Sequence, residues 1–234
     1  MNTSNNTLVF DTALAGLSVG VVTAEGKASV RQIETAREQA SLLIPVIQEV
    51  LEEVNLTLKD VDLIGTTIGP GSFTGVRIGM TTAKTLAMAL DCPVVGLNTL
   101  DVMAHHYEGS EPLLCVLETK RQDFYGCYYD AQRNAVTEPM ATNAIAIIEG
   151  APFDQFTIGG DCLERFQAEA GEAGDYLEQI SMPDPIVMAQ LTSEIFEKEG
   201  ATETLKPLYL RDADTSEPKV KPRQLEEGIC LTDT

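Results

Sequence analysis

Basic residues are scarce in this chain: 16 Lys and Arg stand against 36 Asp and Glu, a formal net charge of −20. Affinity for a phosphate backbone is built from cations that neutralise phosphates, so strong direct binding to RNA or DNA is not expected. No apolar run is as long as a bilayer is thick, the longer ones being broken by charges or glycine, so no membrane span is expected. The start, MNTSNNTLVFDT, lacks the positive charge and apolar core of a signal peptide, and a cytoplasmic location is expected. The five cysteines, Cys92, Cys115, Cys127, Cys162 and Cys230, form no C-x-x-C pair. Such a dispersed, odd set reads as reduced thiols rather than a disulfide frame or a zinc site. Histidine is scarcer still. His105 and His106 are adjacent, and neighbours on a helix point about 100° apart, so the two do not face one ion.

What is present is core material. The 234 residues are 44% hydrophobic, enough for one large domain or two small ones. Leu8–Thr12, Leu17–Thr23 and Ala28–Gln32 read as a strand meander with a turn at Glu25-Gly26. The period then changes. Leu43, Val46, Ile47, Val50, Leu51 and Val54 follow helical spacing with Glu49, Glu52 and Glu53 opposite them, with Ser41 as a candidate cap and Pro45 either near the first turn or marking a kink. Val61–Ile68 reads as a buried strand, Thr74–Leu90 as a helix and Val94–Leu97 as another short strand. Strands alternating with helices argue for a mainly parallel or mixed α/β sheet. Further on, Leu113–Leu117 and Phe156–Gly160 read as strands, Pro185–Glu199 as an amphipathic helix and Leu208–Leu210 as a last strand. A mobile tail is expected from 211 to 234.

Between the buried strand and its helix lies Gly69–Gly79, GPGSFTGVRIG. Glycine opens backbone conformations closed to other residues. Ser72 and Thr74 can cap the helix, whose free N–H groups attract anions. The run matches neither the Walker A nor the Rossmann pattern. Two readings stand at this point: a phosphate loop using Asp11, Thr12, Gly69, Gly71, Ser72, Thr74 and Gly75, or a purely structural tight turn. Read from the residues alone, Asp11 at the end of the first strand is a cap for the turn after it. Gly75, Gly79 and Ala83 recur at four-residue steps and make a flat stripe, beside Val76, Met80, Ala87 and Leu90. That stripe suits either the chain's own sheet or another backbone.

The segment Val9–Val30 can be laid without gaps on Val116–Thr137, which sets Asp11-Thr12 on Glu118-Thr119. Such an echo predicts two similar half-domains: 1–106 and 107–210.

The run from Ile64 to Ala104, with the opening LVFDT, the SLLIPVI helix start and the late PLYLR, resembles the TsaB (YeaZ) family. The likeness is dense over about the first 130 residues and thin after them. It implies a duplicated actin/hexokinase/Hsp70-like (ASKHA) α/β fold, with mixed sheets and flanking helices. It also implies a non-catalytic role in forming N6-threonylcarbamoyladenosine in tRNAs that read ANN codons, without a cofactor. The implied partners are a TsaD-like catalytic subunit and a TsaE-like ATPase, or a second copy when the chain is alone. The implied partner surface lies on the two early helices, at Leu43, Val46, Ile47, Val50, Val54, Val76, Gly79, Met80, Ala83 and Ala87.

Catalytic relatives carry two metal-holding histidines four apart on the helix after the strand matching Val94–Leu97. Thr99 and Met103 stand at those positions. A Thr hydroxyl and a Met thioether make a poor site for a hard or borderline divalent ion, so no metal is expected. A nucleotide-binding ATPase or phosphotransferase using Asp11 and Gly69–Gly75 is the alternative, and a metallopeptidase a more remote one.

Overall fold

The structure is a computed structural model that describes residues 5–35 and 37–210. The tail expected to be mobile lies outside the described residues. The first half opens with β1 (Thr7–Asp11), β2 (Gly16–Val22) and β3 (Ala28–Glu34), then α1 (Gln39–Glu53). It continues with β4 (Leu63–Gly69), α2 (Phe73–Leu90), β5 (Val94–Asn98) and α3 (Thr99–His106). The second half contains β6 (Leu113–Glu118), β7 (Phe124–Tyr129), β8 (Met140–Thr142) and α4 (Ala144–Glu149). Next come β9 (Thr157–Gly160), α5 (Leu163–Ala170), β10 (Asp175–Tyr176) and α6 (Pro185–Glu199).

Two five-stranded sheets result, in the orders β3-β2-β1-β4-β5 and β8-β7-β6-β9-β10. The antiparallel meander and the parallel pairing of β1 with β4 recur as β6 with β7, β8 and β9. This is the duplicated ASKHA-like α/β architecture.

Each sheet is covered on both faces. α1 and α2 pack on one face of the first sheet, with Leu43, Ile47, Val50, Val76 and Met80 against Leu8, Phe10, Leu17 and Val19. α4 and α5 cover the matching face of the second sheet through Ile147, Leu163 and Phe166. The inner faces are covered by exchange. α3 carries Leu100, Met103 and Ala104 onto the second sheet, while α6 carries Met188, Ala189 and Leu191 onto the first. The stretches 1–106 and 107–210 therefore lend each other a helix. Among the described residues no helix is long and apolar enough to cross a membrane.

Three local expectations need correction. α1 starts at Gln39, earlier than the apolar spacing implies, because the Thr35 hydroxyl accepts the Glu38 N–H at 3.2 Å and begins the turn. Ser41 therefore lies in the first turn, its hydroxyl donating to the Glu38 carbonyl, and Pro45 lies inside the helix. Leu208–Leu210 is not a strand. Pro207 has no N–H to give a ladder, and one bond, Leu208 N–H to the Ile68 carbonyl at 2.8 Å, ties the segment to β4.

The third correction concerns the gapless overlay of the halves. Leu17, Val19 and Val21 share the outer face with α1 and α2, and their overlay partners include Phe124 and Tyr128 on the corresponding face of β7. β1 does not follow. Leu8 and Phe10 face outward, as do Leu114 and Val116, whereas Val9 faces inward with Cys115. A one-residue slip moves every side chain of a strand to the other face. The second half has one extra residue between its first two strands, and Asp11 corresponds to Leu117 rather than to Glu118.

Candidate functional site

The glycine-rich turn is used up by contact with its own chain. The Ser72 N–H donates to the Ala13 carbonyl at 2.7 Å, and the Thr12 hydroxyl donates to the Gly75 carbonyl at 2.7 Å. A Cβ on Gly75 would stand 1.9 Å from the Thr12 carbonyl oxygen, and one on Gly71 2.6 Å from that of Ala13. These glycines let the start of α2 press onto the turn after β1. Ser72 is the N-cap, its hydroxyl accepting the Gly75 N–H at 3.3 Å, while Thr74 sits exposed in the first turn. Gly69 has a positive φ of 103° and precedes Pro70 through a cis bond.

Asp11 is fully buried. Its carboxylate accepts the N–H groups of Ala13, at 3.0 Å, and Leu14, at 3.4 Å, and the Thr67 hydroxyl. Burial raises its pKa above the ordinary carboxylate value, opposed by those three hydrogen bonds. With its oxygens accepting three hydrogen bonds inside the fold, it acts as the cap of the β1–β2 turn.

Beside this turn a cleft of about 770 Å³ runs between the two sheets. One side is formed by Ala13–Ala15, Phe73, Val76 and Arg77, the other by Glu118, Lys120, Arg121, Tyr125 and Asp161. Leu208–Leu210 adds to the wall. Asp161 sits at the junction of β9 and α5, where its carboxylate accepts the Glu118 N–H at 2.7 Å. Burial lifts its pKa to about 6. The Glu118 carboxylate accepts the Lys120 N–H at 2.6 Å and is held by the Arg165 guanidinium. Arg165 also lies over the Phe124 ring, 4.1 Å from its centroid.

The second-half members of this cleft were not singled out from the sequence, although the internal echo pointed at Glu118. Asp161 carries no such signal, because β9 is only 4 residues long and no motif surrounds it. Phe73 and Arg77 are neighbours one turn apart on α2, but Tyr209 lies 132 residues beyond Arg77 and joins them only through folding.

The two positions expected to replace a histidine pair lie indoors. Thr99 and Met103 are both fully buried, and Met103 packs in the cluster of Leu100, Leu113, Cys115 and Tyr129. α3 is further tied to the second sheet by the Tyr129 hydroxyl, which donates to Asp101 at 2.7 Å. The Thr99 hydroxyl has no hydrogen-bond partner among the described residues, but a hydroxyl and a thioether do not suit a catalytic divalent ion. These residues do not fit the metal of the catalytic relatives. His105 Nδ1 lies 2.8 Å from the Asp101 carbonyl, an ordinary helix-end contact.

The expected partner surface is corrected by burial. Leu43, Val46, Ile47, Val50, Val76, Met80 and Ala83 form the chain's own core, with Val54 and Ala87 packed at its margin. Gly79 faces inward as well, where a Cβ would stand 2.9 Å from the Thr12 hydroxyl. The small-residue stripe thus serves the chain's own turn and strands. The same helices do expose apolar side chains elsewhere: Ile44 is 39% accessible and Met88 82%.

The sequence pattern of the family described as "TsaD: tRNA N6-adenosine threonylcarbamoyltransferase" matches residues 27–156. The tRNA threonylcarbamoyladenosine biosynthesis protein TsaB of Escherichia coli is 26% identical over 88% of this chain and 94% of its own length. An uncharacterized protein of Mycobacterium bovis is 32% identical over 62% of this chain and 68% of its own. Among solved structures, YeaZ from Pseudomonas aeruginosa superposes with a TM-score of 0.78 at 22% identity, covering 88% of this chain and all of that one.

Proposed function

Since the chain belongs to the TsaB (YeaZ) family, we propose that it is a non-catalytic subunit needed to form N6-threonylcarbamoyladenosine in tRNA. The observation that carries the non-catalytic reading is the chemistry of α3. Thr99 and Met103, which the resemblance sets at the positions of metal-holding histidines, offer only a hydroxyl and a thioether there, and both side chains are buried. The one carboxylate at the end of β1, Asp11, is spent on the turn beside it. The reaction is then carried by a TsaD-like subunit, assisted by a TsaE-like ATPase, in the cytoplasm.

Pairing uses the outward faces of α1 and α2, with Ile44 and Met88 as apolar contacts, and a second copy takes that place when the chain is alone. This replaces the inward-facing residues, which the core already occupies. The alternative, a nucleotide-using ATPase or phosphotransferase, is disfavoured because the loop amides are used inside the chain, the Ser72 N–H donating to the Ala13 carbonyl and the Gly75 N–H to the Ser72 hydroxyl, where a phosphate loop would keep them open.

Co-purification with the TsaD-like subunit of the same organism tests the pairing. Ile44→Glu with Met88→Glu leaves the fold intact and removes the complex. Undiminished complex formation by that double variant contradicts the proposed surface.

A further inference from the structure

The segment after α6 ends as a strap across the mouth of the cleft. Leu205, only 3% accessible, anchors it in the core under the first sheet. Leu208 is tied to Ile68 by one backbone bond of 2.8 Å, and its carbonyl and a Val76 methyl both lie over Gly69. Beyond that point the hold comes from side chains at the surface. The Tyr209 ring stacks on Phe73 with centroids 5.4 Å apart and planes at 24°. Arg77 donates from Nε to the Tyr209 hydroxyl at 3.0 Å and lays its guanidinium 3.8 Å from the Phe73 centroid. Phe73 and Tyr209 stay 49% and 44% accessible.

We propose that Pro207–Leu210 is a releasable latch that closes one side of the cleft between the sheets, held shut by Tyr209 on Phe73 and Arg77. Segments held by few, solvent-exposed contacts open locally, without global unfolding. Leu208, Tyr209 and Leu210 contribute directly to the cleft wall. Their departure opens that side of the cleft, where Val76, 3% accessible with the strap in place, is a lining residue beside them. The latch is a property of this chain and holds whether or not the subunit reading is right.

Amide hydrogen exchange on the full chain tests this, with Leu208 as the reporter and Val9 and Phe10 of β1 as controls. Losing the stack and the Arg77 bond in Tyr209→Ala speeds Leu208 exchange about tenfold, and Tyr209→Phe, which keeps the stack, speeds it less. The controls do not change. A thiol placed by Val76→Cys reacts with a maleimide about tenfold faster when combined with Tyr209→Ala, as expected if strap release exposes it. Unchanged Leu208 exchange overturns the latch. So does equal acceleration of Val9 and Phe10, which signals general loosening, or a Val76→Cys thiol that reacts at the same rate in both backgrounds.

Discussion

The two halves share one strand order and differ in what covers it. α1 and α2 have 15 and 18 residues, whereas α4 and α5 in the same places have 6 and 8. β4 has 7 residues and β9 has 4. The turn after β1 is closed by a buried carboxylate, while the corresponding end of β6 carries Leu117 and leaves Glu118 at the cleft. Strand pairing thus preserves a topology that helix length and turn chemistry are free to leave. The long helices stay with the first half, and with them the broad outer face that a partner could use.

The sharpest way to break this comparison is to attack a close backbone approach in each half, onto the turn after β1 in the first and onto β6 in the second. A Cβ on Gly75 would meet the Thr12 carbonyl at 1.9 Å, and one on Gly160 would meet that of Val116 at 1.8 Å. Both obstacles are backbone, which cannot rotate away. Gly75→Val and Gly160→Val are each expected to cost about 5 kcal/mol or to prevent folding, as urea denaturation or soluble yield would reveal. A well-folded variant at either site would separate the halves in this respect.

Next in size is the contrast between the inner and outer faces of α1. Val50 is fully buried and Ile44 is 39% accessible. Val50→Glu places a carboxylate in the core of the first half and is expected to cost about 4 kcal/mol, against about 0.5 kcal/mol or less for Ile44→Glu. Thermal and urea unfolding of the two variants checks the difference. Equal losses would mean that Ile44 is not an outward residue.

Much of this division was legible in the sequence, and its failures have physical causes. α6 reads correctly from Pro185 to Glu199 because Asp184 caps it, accepting the Ile186 N–H at 2.7 Å, and Gly200 ends it. The amphipathic stripe of α1 identified the buried face correctly. A stripe states that a face must be covered, not whether the cover is the same chain or another. The phase of β6 was not legible, because Leu113-Leu114-Cys115-Val116-Leu117 is apolar on both faces and carries no alternation. The cleft is harder still to read, since its walls come from separate stretches of the chain joined only by folding.

A smaller effect is a pH dependence to which each half contributes one buried carboxylate. The folded state raises the Asp161 pKa from 3.8 to about 6, so it binds that proton more tightly than the unfolded chain. The resulting stabilisation is present in full below the unfolded value and is lost as pH rises through about 6. Allowing for partial solvation, the chain should lose on the order of 1–2 kcal/mol across that window relative to Asp161→Asn. Urea denaturation of both proteins in steps from acid to neutral pH measures it, and parallel pH profiles would refute it. Asp11 is raised in the same direction by burial, so Asp11→Asn should flatten the profile of the first half too.

The smallest effects belong to the ion pairs. Arg165→Ala removes the link to Glu118 and the contact with Phe124, and is expected to cost about 1 kcal/mol. Arg31 pairs with Glu49 and Glu53 on the open surface, and Arg31→Ala should cost less than Arg165→Ala in the same denaturation assay. The reverse order would place the more important clamp in the first half.

The central claim is that this chain supports a catalyst without being one. Its most direct test is tRNA threonylcarbamoylation reconstituted from the TsaD-like subunit, the TsaE-like ATPase and a source of the threonylcarbamoyl group, with this chain added or left out. The account predicts that modification collapses when the chain is omitted and that the chain alone modifies nothing. Modification that proceeds equally well in its absence would contradict the account.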